Sequence, residues 1–238
     1  MDDHDDFFVH RHRDVQGGAA RAAVFGVSDG LVSNVALILG VAAAKPGADT
    51  VVLAGVSGLL AGAASMAAGE YVSMKAQNEL IERELAIERR SLAERPREER
   101  QELEALYRSR GIEAEHAEAM AEAVMADPEV ALEVHAREEL GVDPDSVGDP
   151  VGAAVSSFLA FAVGAVLPLM PWFFADGSGA VIASVVVGLV ATASVGTLLA
   201  VFTERSMIAS ACRQVGFAVA ACVLTFAIGS LIGGGAPG

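Results

Sequence analysis

Five stretches of the sequence are long and apolar enough to cross a membrane as helices, and no other feature constrains the fold as strongly. The hydrocarbon core of a bilayer is about 30 Å thick, and about 20 mostly apolar helical residues cross it. The stretches cover residues 22–44, 50–69, 151–175 and 177–203, and a fifth runs from residue 207 or 214 toward the end of the chain. The sequence therefore predicts an all-α membrane protein with five transmembrane helices.

The negative charge of the chain is concentrated between the second and third apolar stretches. Residues 77–150 contain 21 acidic and nine basic side chains, a net charge of −12 out of −15 for the whole chain. Strong helix formers dominate this segment, and neither Gly nor Pro occurs between Glu70 and Arg95. The second transmembrane helix is therefore expected to continue unbroken as far as Arg95. The breaks that delimit three further helices are Pro96, Gly111, Pro128 and Gly141.

These features divide the chain into four segments. An N-terminal tail (1–21) precedes transmembrane helices 1 and 2 (22–75), an acidic helical insert (76–150) follows, and transmembrane helices 3 to 5 (151–238) complete the chain. Basic residues favour the cytoplasmic side of a membrane. Those that lie near the ends of the apolar stretches on one side are Arg11, Arg13, Arg21, Lys75, Arg205 and Arg213. This distribution predicts a cytoplasmic N-terminus and insert, with the C-terminus on the opposite side.

Composition indicates partners and a source. The acidic balance excludes a nucleic-acid partner, because the protein would repel phosphates, whereas the apolar stretches require a lipid bilayer. The sequence has 14 Arg, two Lys and abundant Ala. That composition favours a bacterium with GC-rich DNA and therefore the plasma membrane; in a eukaryote, a vacuolar or other organellar membrane is expected.

Ionisable residues inside apolar helices are costly and mark functional sites. Asp29 lies seven residues into the first stretch, and Glu70 follows the second. Met66 precedes Glu70 by one helical turn, so a thioether and a carboxylate share one helix face. The first two helices run antiparallel, which allows Asp29, Met66 and Glu70 to lie at similar depth. Carboxylates in such a position bind a cation or take up protons.

Carboxylates also recur at helical spacing in the acidic insert. The pairs three or four residues apart, each on one helix face, are Glu84 and Glu88, Glu99 and Glu102, and His135 and Glu139. Where several helices bring such charges into one bundle, the repulsion is costly unless a cation neutralises it. Carboxylates with an imidazole suit divalent Fe, Mn, Zn or Co. The alternative is a solvated acidic face, which is the simpler interpretation for any single glutamate.

One pair imitates a different metal centre. Glu113 and His116 form the Glu-x-x-His element of di-iron carboxylate bundles, but those bundles need two such elements. The other histidine of the insert, His135, has Leu132 three residues before it. Glu113 and His116 are therefore interpreted as surface residues. The histidines among the first 12 residues are interpreted as part of a short tail.

Two motifs and the order of the apolar stretches resemble the vacuolar iron transporter family. The motifs are GVSDGLVSN at 26–34 and AGAASMAAGEYVS at 61–73, and the acidic insert precedes three more apolar stretches. The resemblance extends from about residue 22 to 231. It implies a homodimer with a pore between subunits, export of cytosolic Fe²⁺ in exchange for protons, and a cytoplasmic insert whose glutamates and methionine collect metal.

Several site residues follow from this resemblance. Asp29 corresponds to an aspartate of the first transmembrane helix and Met66 to a methionine of the second. The insert residues that correspond to metal-binding glutamates are Glu88, Glu99, Glu102 and Glu139. His135 stands where the family has a methionine, and an imidazole remains a ligand while making the site harder and sensitive to pH near neutrality.

The chain also departs from the family pattern. Gly58 stands where the plant-type pattern has a glutamate, and Glu70 stands where that pattern has a glycine. Glu70 is therefore expected to supply the carboxylate from a different turn. Ser91 replaces another glutamate of the insert, for which Glu84 or Glu98 is expected to compensate.

The function expected from these observations is proton-coupled export of Fe²⁺, or of Mn²⁺, Co²⁺ or Zn²⁺, by a transporter that is not an enzyme and has no prosthetic group. Three alternatives remain open at this stage. The chain is a membrane-anchored iron buffer or sensor, a di-iron ferroxidase, or a scaffold that dimerises through its glycine-rich helices. Membrane carboxylates argue against a simple anchor, and the single Glu-x-x-His argues against the ferroxidase.

Overall fold

The computed structural model describes residues 18–144 and 148–234, and all of its regular elements are helical. The α-helices are α1 (Gly18–Ala43), α2 (Ala48–Glu94), α3 (Pro96–Ser109), α4 (Ala114–Met125), α5 (Pro128–Glu138), α6 (Pro150–Leu169), α7 (Gly177–Phe202) and α8 (Met207–Gly234). A 3₁₀ turn, Met170–Phe173, follows α6. Most of the predicted N-terminal tail lies outside the described residues.

Five of these helices are long and apolar enough to cross a membrane: α1, α2, α6 with its 3₁₀ turn, α7 and α8. The all-α prediction is confirmed. The fifth apolar helix begins at Met207, the earlier of the two expected starts. Pro168 lies inside α6, one residue before its end, and the helix tightens into the 3₁₀ turn immediately afterwards.

The described chain divides into two compact units. Unit 1 contains the chain up to Glu70 and from Val151 onward, and unit 2 contains Tyr71–Pro150. α2 contributes to both units, since its 47 residues run from Ala48 to Glu94 without a break. The predicted continuation of the second apolar helix to Arg95 is therefore confirmed to within one residue.

Unit 1 is built on close backbone contacts between α1 and α6. A Cβ atom added at Gly30 of α1 would overlap the carbonyl oxygen of Phe161, and one added at Gly164 of α6 would overlap the carbonyl oxygen of Val27. Helices approach this closely only where a side chain is missing, as in many membrane proteins. α1 also packs against α7 and α8. The α1–α6 contact therefore sets how closely α1 approaches α6.

Unit 2 has its own apolar core. Leu103 and Tyr107 of α3 pack against Ala117 and Ala121 of α4, and all four side chains are buried. The small alanines let α4 lie close to α3. At the other end of the unit, Asn78 of α2 donates a hydrogen bond to the carbonyl oxygen of Gly148 at 2.8 Å.

The α1–α6 contact makes a stability prediction. Gly164→Ala places a methyl group against backbone atoms of Val27 and Leu31, which lack the freedom of a side chain to move aside. We expect a loss of about 1–3 kcal/mol, typical of overpacking, seen as a lower midpoint of thermal unfolding in detergent. Gly216→Ala on α8 is the matched control, because its Cβ meets no heavy atom within 4 Å. Equal midpoints for the two variants would contradict the contact.

Candidate functional site

A cavity of about 290 Å³ lies in unit 1 between α1, α2 and α6. The described residues that line it are Asp29, Ser33, Asn34, Leu37, Gly58, Gly62, Ser65, Met66 and Phe161. The wall combines one carboxylate, one thioether and three smaller polar side chains with apolar groups. We refer to it below as the Asp29 cavity.

The structure brings together two of the three residues predicted for the membrane site. Asp29 of α1 and Met66 of α2 both line the Asp29 cavity, although Asp29 is exposed at its open side. Glu70, one turn beyond Met66, is half-buried and does not belong to the described lining. A carboxylate and a thioether therefore face one space, while the second predicted carboxylate lies outside it.

Asn34 is the lining residue that is most enclosed by protein. Its side chain is 2% exposed, and its Nδ2 donates a hydrogen bond of 2.6 Å to the carbonyl oxygen of Ala165 on α6. Gly58 lies beside the other end of the carboxamide, since a Cβ atom there would be 3.2 Å from Oδ1. A side chain at position 58 would therefore crowd the amide oxygen.

Sequence reasoning missed five of the lining side chains: Ser33, Asn34, Leu37, Ser65 and Phe161. Asn34 had a signal of its own, because an uncharged polar residue in the middle of an apolar helix is unusual and seeks a partner. That partner is 131 residues away in the chain. Phe161 carried no signal, since an aromatic residue in an apolar helix is ordinary.

A second cluster lies in unit 2, within the acidic insert. One potential ligand atom each from Glu88 of α2, Glu99 of α3 and His135 of α5 lies within 4.8 Å of the other two. His135 is fully buried, Glu99 is 5% exposed and Glu88 is half-buried. We call these residues the insert triad. The expectation that separate helices gather their carboxylates is met at these positions.

The ring of His135 is oriented by backbone. Its Nδ1 lies 2.8 Å from the carbonyl oxygen of Ala131, and its Nε2 lies 3.4 Å from the carbonyl oxygen of Glu99. A carbonyl oxygen only accepts, so the shorter contact favours the tautomer whose proton is on Nδ1. Nε2 then keeps a lone pair for a metal ion. Metal-binding histidines are commonly held in this way, with the second ring nitrogen donating to a fixed acceptor.

Two more predicted glutamates adjoin the insert triad. Glu102 is exposed one turn after Glu99, and Glu139 directly follows the last residue of α5, one turn after His135. Burial of part of its side chain raises the pKa of Glu139; His135 lowers that pKa, and the charges of Glu102 and Glu99 raise it. A carboxylate at a helix C-terminus also faces the negative end of the helix dipole. The like charges of Glu102 and Glu99 and the helix dipole each favour a bound cation beside Glu139.

Other glutamates lie apart from the insert triad. Glu84 is half-buried one turn before Glu88 and is not a member of the described triad. The side chains of Glu113 and His116 are 87% and 73% exposed, as expected of surface residues. Helical spacing therefore identified the correct faces without showing which turn of each helix contributes.

The residues at which α3 and α5 begin determine where the potential ligands Glu99 and His135 lie. Pro96 begins α3, which puts Glu99 in the first turn, where free backbone N–H groups favour a negative charge. Asp127 caps α5, and its carboxylate accepts hydrogen bonds from the backbone N–H groups of Glu129 at 2.9 Å and Val130 at 3.5 Å. His135 and Glu139 lie two and three turns beyond that cap.

The chemistry of the insert triad suits a divalent cation. Oε1 of Glu88 is buried and has no hydrogen-bond partner among the described residues. A buried carboxylate oxygen without a partner is expensive, and a cation between two carboxylates and an imidazole would remove that cost. Carboxylate and imidazole ligands together suit first-row divalent metals.

Comparison with known sequences identifies the family of the chain. Residues 20–230 of the 238-residue chain match the sequence pattern of the VIT family. The chain belongs to the VIT family. The resemblance expected from the motifs at 26–34 and 61–73 is thereby confirmed, and the matched region includes both the Asp29 cavity and the insert triad.

Relatives of this VIT family member span most of its length. It is 33% identical over 224 residues to "Vacuolar iron transporter" of Acanthamoeba castellanii, an alignment that covers 93% of this chain and 82% of that protein. It is 29% identical over 220 residues to "Vacuolar iron transporter 1" of Arabidopsis thaliana, with 91% and 87% covered. The corresponding protein of Eucalyptus grandis is 31% identical over 199 residues, with 82% and 79% covered.

The cap of α5 makes a testable prediction for this VIT family member. Asp127→Ala removes the acceptor for two backbone N–H groups, so we expect about 1 kcal/mol of lost stability, measured by thermal unfolding of the purified protein. Glu113→Ala is the matched control, because Glu113 precedes α4 at the same position but makes no capping hydrogen bond. A control that loses as much stability as Asp127→Ala would show that the cap does not hold α5.

Proposed function

We propose that the chain carries Fe²⁺ out of the cytosol across a membrane in exchange for protons. The observation that carries this proposal is the Asp29 cavity, where a carboxylate and a thioether face one space inside a unit of apolar helices. Ionisable groups within apolar helices are costly in a bilayer and mark ion pathways by default. The names of the relatives from Acanthamoeba, Arabidopsis and Eucalyptus support iron as the cargo.

Protons drive the cycle through the membrane carboxylates. Asp29 binds the cation when ionised and releases it when protonated, so a proton entering from the acidic side displaces the metal ion. Met66 adds a softer ligand, which favours Fe²⁺, Co²⁺ or Zn²⁺ over alkaline-earth ions. Glu70, one turn away from Met66, passes ions or protons toward the cavity.

The insert collects the cargo. Its −12 charge raises the local concentration of cations at the cytosolic face. The insert triad, with Glu102 and Glu139 beside it, then holds a divalent ion as substrate. Since carboxylates and an imidazole bind Mn²⁺, Co²⁺ and Zn²⁺ as well as Fe²⁺, these ions are expected to compete.

A second copy of the chain covers the open side of the Asp29 cavity. Asp29 is exposed on unit 1, and an exposed carboxylate in a lipid-facing position is costly. Beside it, α2 presents an exposed face of small residues formed by Ala61, Ala64, Ser65 and Ala68. Small residues let helices approach closely, so a homodimer through this face would enclose the carboxylate between subunits.

The topology follows from the charge distribution. Basic residues cluster at one side of the five apolar helices, and that side faces the cytosol in most membrane proteins. The N-terminus and the insert are then cytoplasmic and the C-terminus lies across the membrane. The plasma membrane of a bacterium is the proposed location.

Transport tests the membrane site. We expect Asp29→Ala and Glu70→Ala each to reduce pH-gradient-driven Fe²⁺ uptake into proteoliposomes to the level of protein-free liposomes, because each removes a carboxylate that exchanges metal for protons. Asp49→Ala serves as the control, since Asp49 is exposed in the first turn of α2 and does not line the cavity. Undiminished uptake in both site variants would overturn the assignment, and a buffer or sensor would show metal binding without any uptake.

Metal binding tests the insert. In an Asp29→Ala background, we expect Glu88→Gln to weaken Co²⁺ binding, measured calorimetrically on the full chain, by about tenfold or more, because the triad loses a negative ligand of the same shape. Glu115→Gln removes an equal charge from an exposed position on α4 and should leave the affinity unchanged. If both variants bind alike, the acidic insert is only a solvated surface.

A further inference from the structure

The carboxamide of Asn34 has one end occupied and the other end free. Nδ2 donates to the carbonyl oxygen of Ala165, whereas Oδ1 has no hydrogen-bond partner among the described residues. The side chain is 2% exposed, so water does not reach the oxygen from outside the protein. Buried side-chain oxygens are rarely left in this state, because no other contact replaces the lost hydration.

The orientation of the carboxamide follows from its partner. Rotating the amide by half a turn would place Oδ1 against the carbonyl oxygen of Ala165, and two acceptors repel each other. The hydrogen bond of 2.6 Å therefore fixes Nδ2 toward α6 and Oδ1 toward α2. The packing of α1 against α6 therefore determines which end of the amide is free.

Position 58 lies directly beside that oxygen. A Cβ atom on Gly58 would lie 3.2 Å from Oδ1 of Asn34 and 3.0 Å from Cδ2 of Leu37. Asn34 and Gly58 both line the Asp29 cavity. An amide oxygen without a partner thus borders a space that even a methyl group would fill, and it does so in the cavity that holds Asp29 and Met66.

We propose that Oδ1 of Asn34 is a ligand of the transported cation, completing a set with Asp29 and Met66 in the space that Gly58 leaves. This inference rests on the proposed function and names a residue and a role beyond it. Divalent metal ions readily accept amide oxygens as ligands. The bound ion takes the place of the missing hydrogen-bond donor.

A neutral oxygen has a distinct effect on the exchange. An amide oxygen does not take up a proton in the physiological range, so protonation of Asp29 removes the negative ligand while Asn34 stays unchanged. The oxygen also balances the soft sulfur of Met66. Oxygen ligands suit Mn²⁺, whereas Zn²⁺ tolerates sulfur well, so Asn34 shifts preference toward the harder ion.

The sharpest test fills the space beside the amide oxygen. Gly58→Ala places a methyl group against Oδ1 of Asn34 and the end of the Leu37 side chain, while Nδ2 keeps its partner on Ala165. We expect the ratio of Mn²⁺ to Zn²⁺ uptake into proteoliposomes to fall about tenfold, the effect of weakening one contact. A damaged fold would lower both uptakes by the same factor and leave the ratio unchanged.

A variant of Asn34 tests the oxygen directly. Asn34→Leu removes it at similar volume and should reproduce the lower ratio of Mn²⁺ to Zn²⁺ uptake. Gly216→Ala, which meets no heavy atom within 4 Å, is the control for a glycine-to-alanine change in an apolar helix.

The outcomes distinguish this inference from the proposed function. Wild-type chain that transports no metal under a pH gradient overturns both. Wild-type transport with the same Mn²⁺ to Zn²⁺ ratio in Gly58→Ala and Asn34→Leu overturns the role of Asn34 alone and leaves the transporter in place.

Discussion

Direct contact between the backbones of α1 and α6 is the interaction on which the Asp29 cavity depends. Gly30 and Gly164 bring the two helices together where each would otherwise carry a side chain. One turn after Gly30, Asn34 reaches the carbonyl oxygen of Ala165 because the helices are already so close. Asp29 and Ser33 then occupy the neighbouring face of α1, toward α2. The glycines of the α1–α6 contact therefore position the polar residues of α1 that line the Asp29 cavity.

Packing in the insert brings carboxylates together in a comparable way. Glu88, Glu99 and His135 meet although they come from three helices, and the apolar packing of α3 against α4 holds the helix that carries Glu99. Burial raises the pKa of Glu139 most, and the charges of Glu102 and Glu99 raise it further. Such a site would favour binding of a cation, because its ligands are already in position before the cation arrives.

Much of this architecture was predictable from local sequence. The length of the apolar stretches and the positions of proline and glycine predicted the helices and the unbroken α2, because these signals act within one segment. Helical spacing predicted the faces that carry Glu88, Glu99 and His135. Spacing did not separate Glu88 from Glu84, since both lie on one face of α2 and only contact with another helix distinguishes them. Asn34 was missed for the same reason: its partner belongs to a distant segment.

The make-up of the Asp29 cavity has an electrical consequence. Among its described lining residues, Asp29 is the only ionisable one. A divalent ion held there by one carboxylate and neutral ligands leaves an excess of one positive charge, whereas the protonated, metal-free cavity is neutral. The two states therefore respond differently to a voltage across the membrane, which acts on each unit charge with about 2.3 kcal/mol per 100 mV over the full thickness. Under the proposed exchange of Fe²⁺ for protons, a neutral residue at position 58 makes ion movement depend on membrane potential as well as on pH.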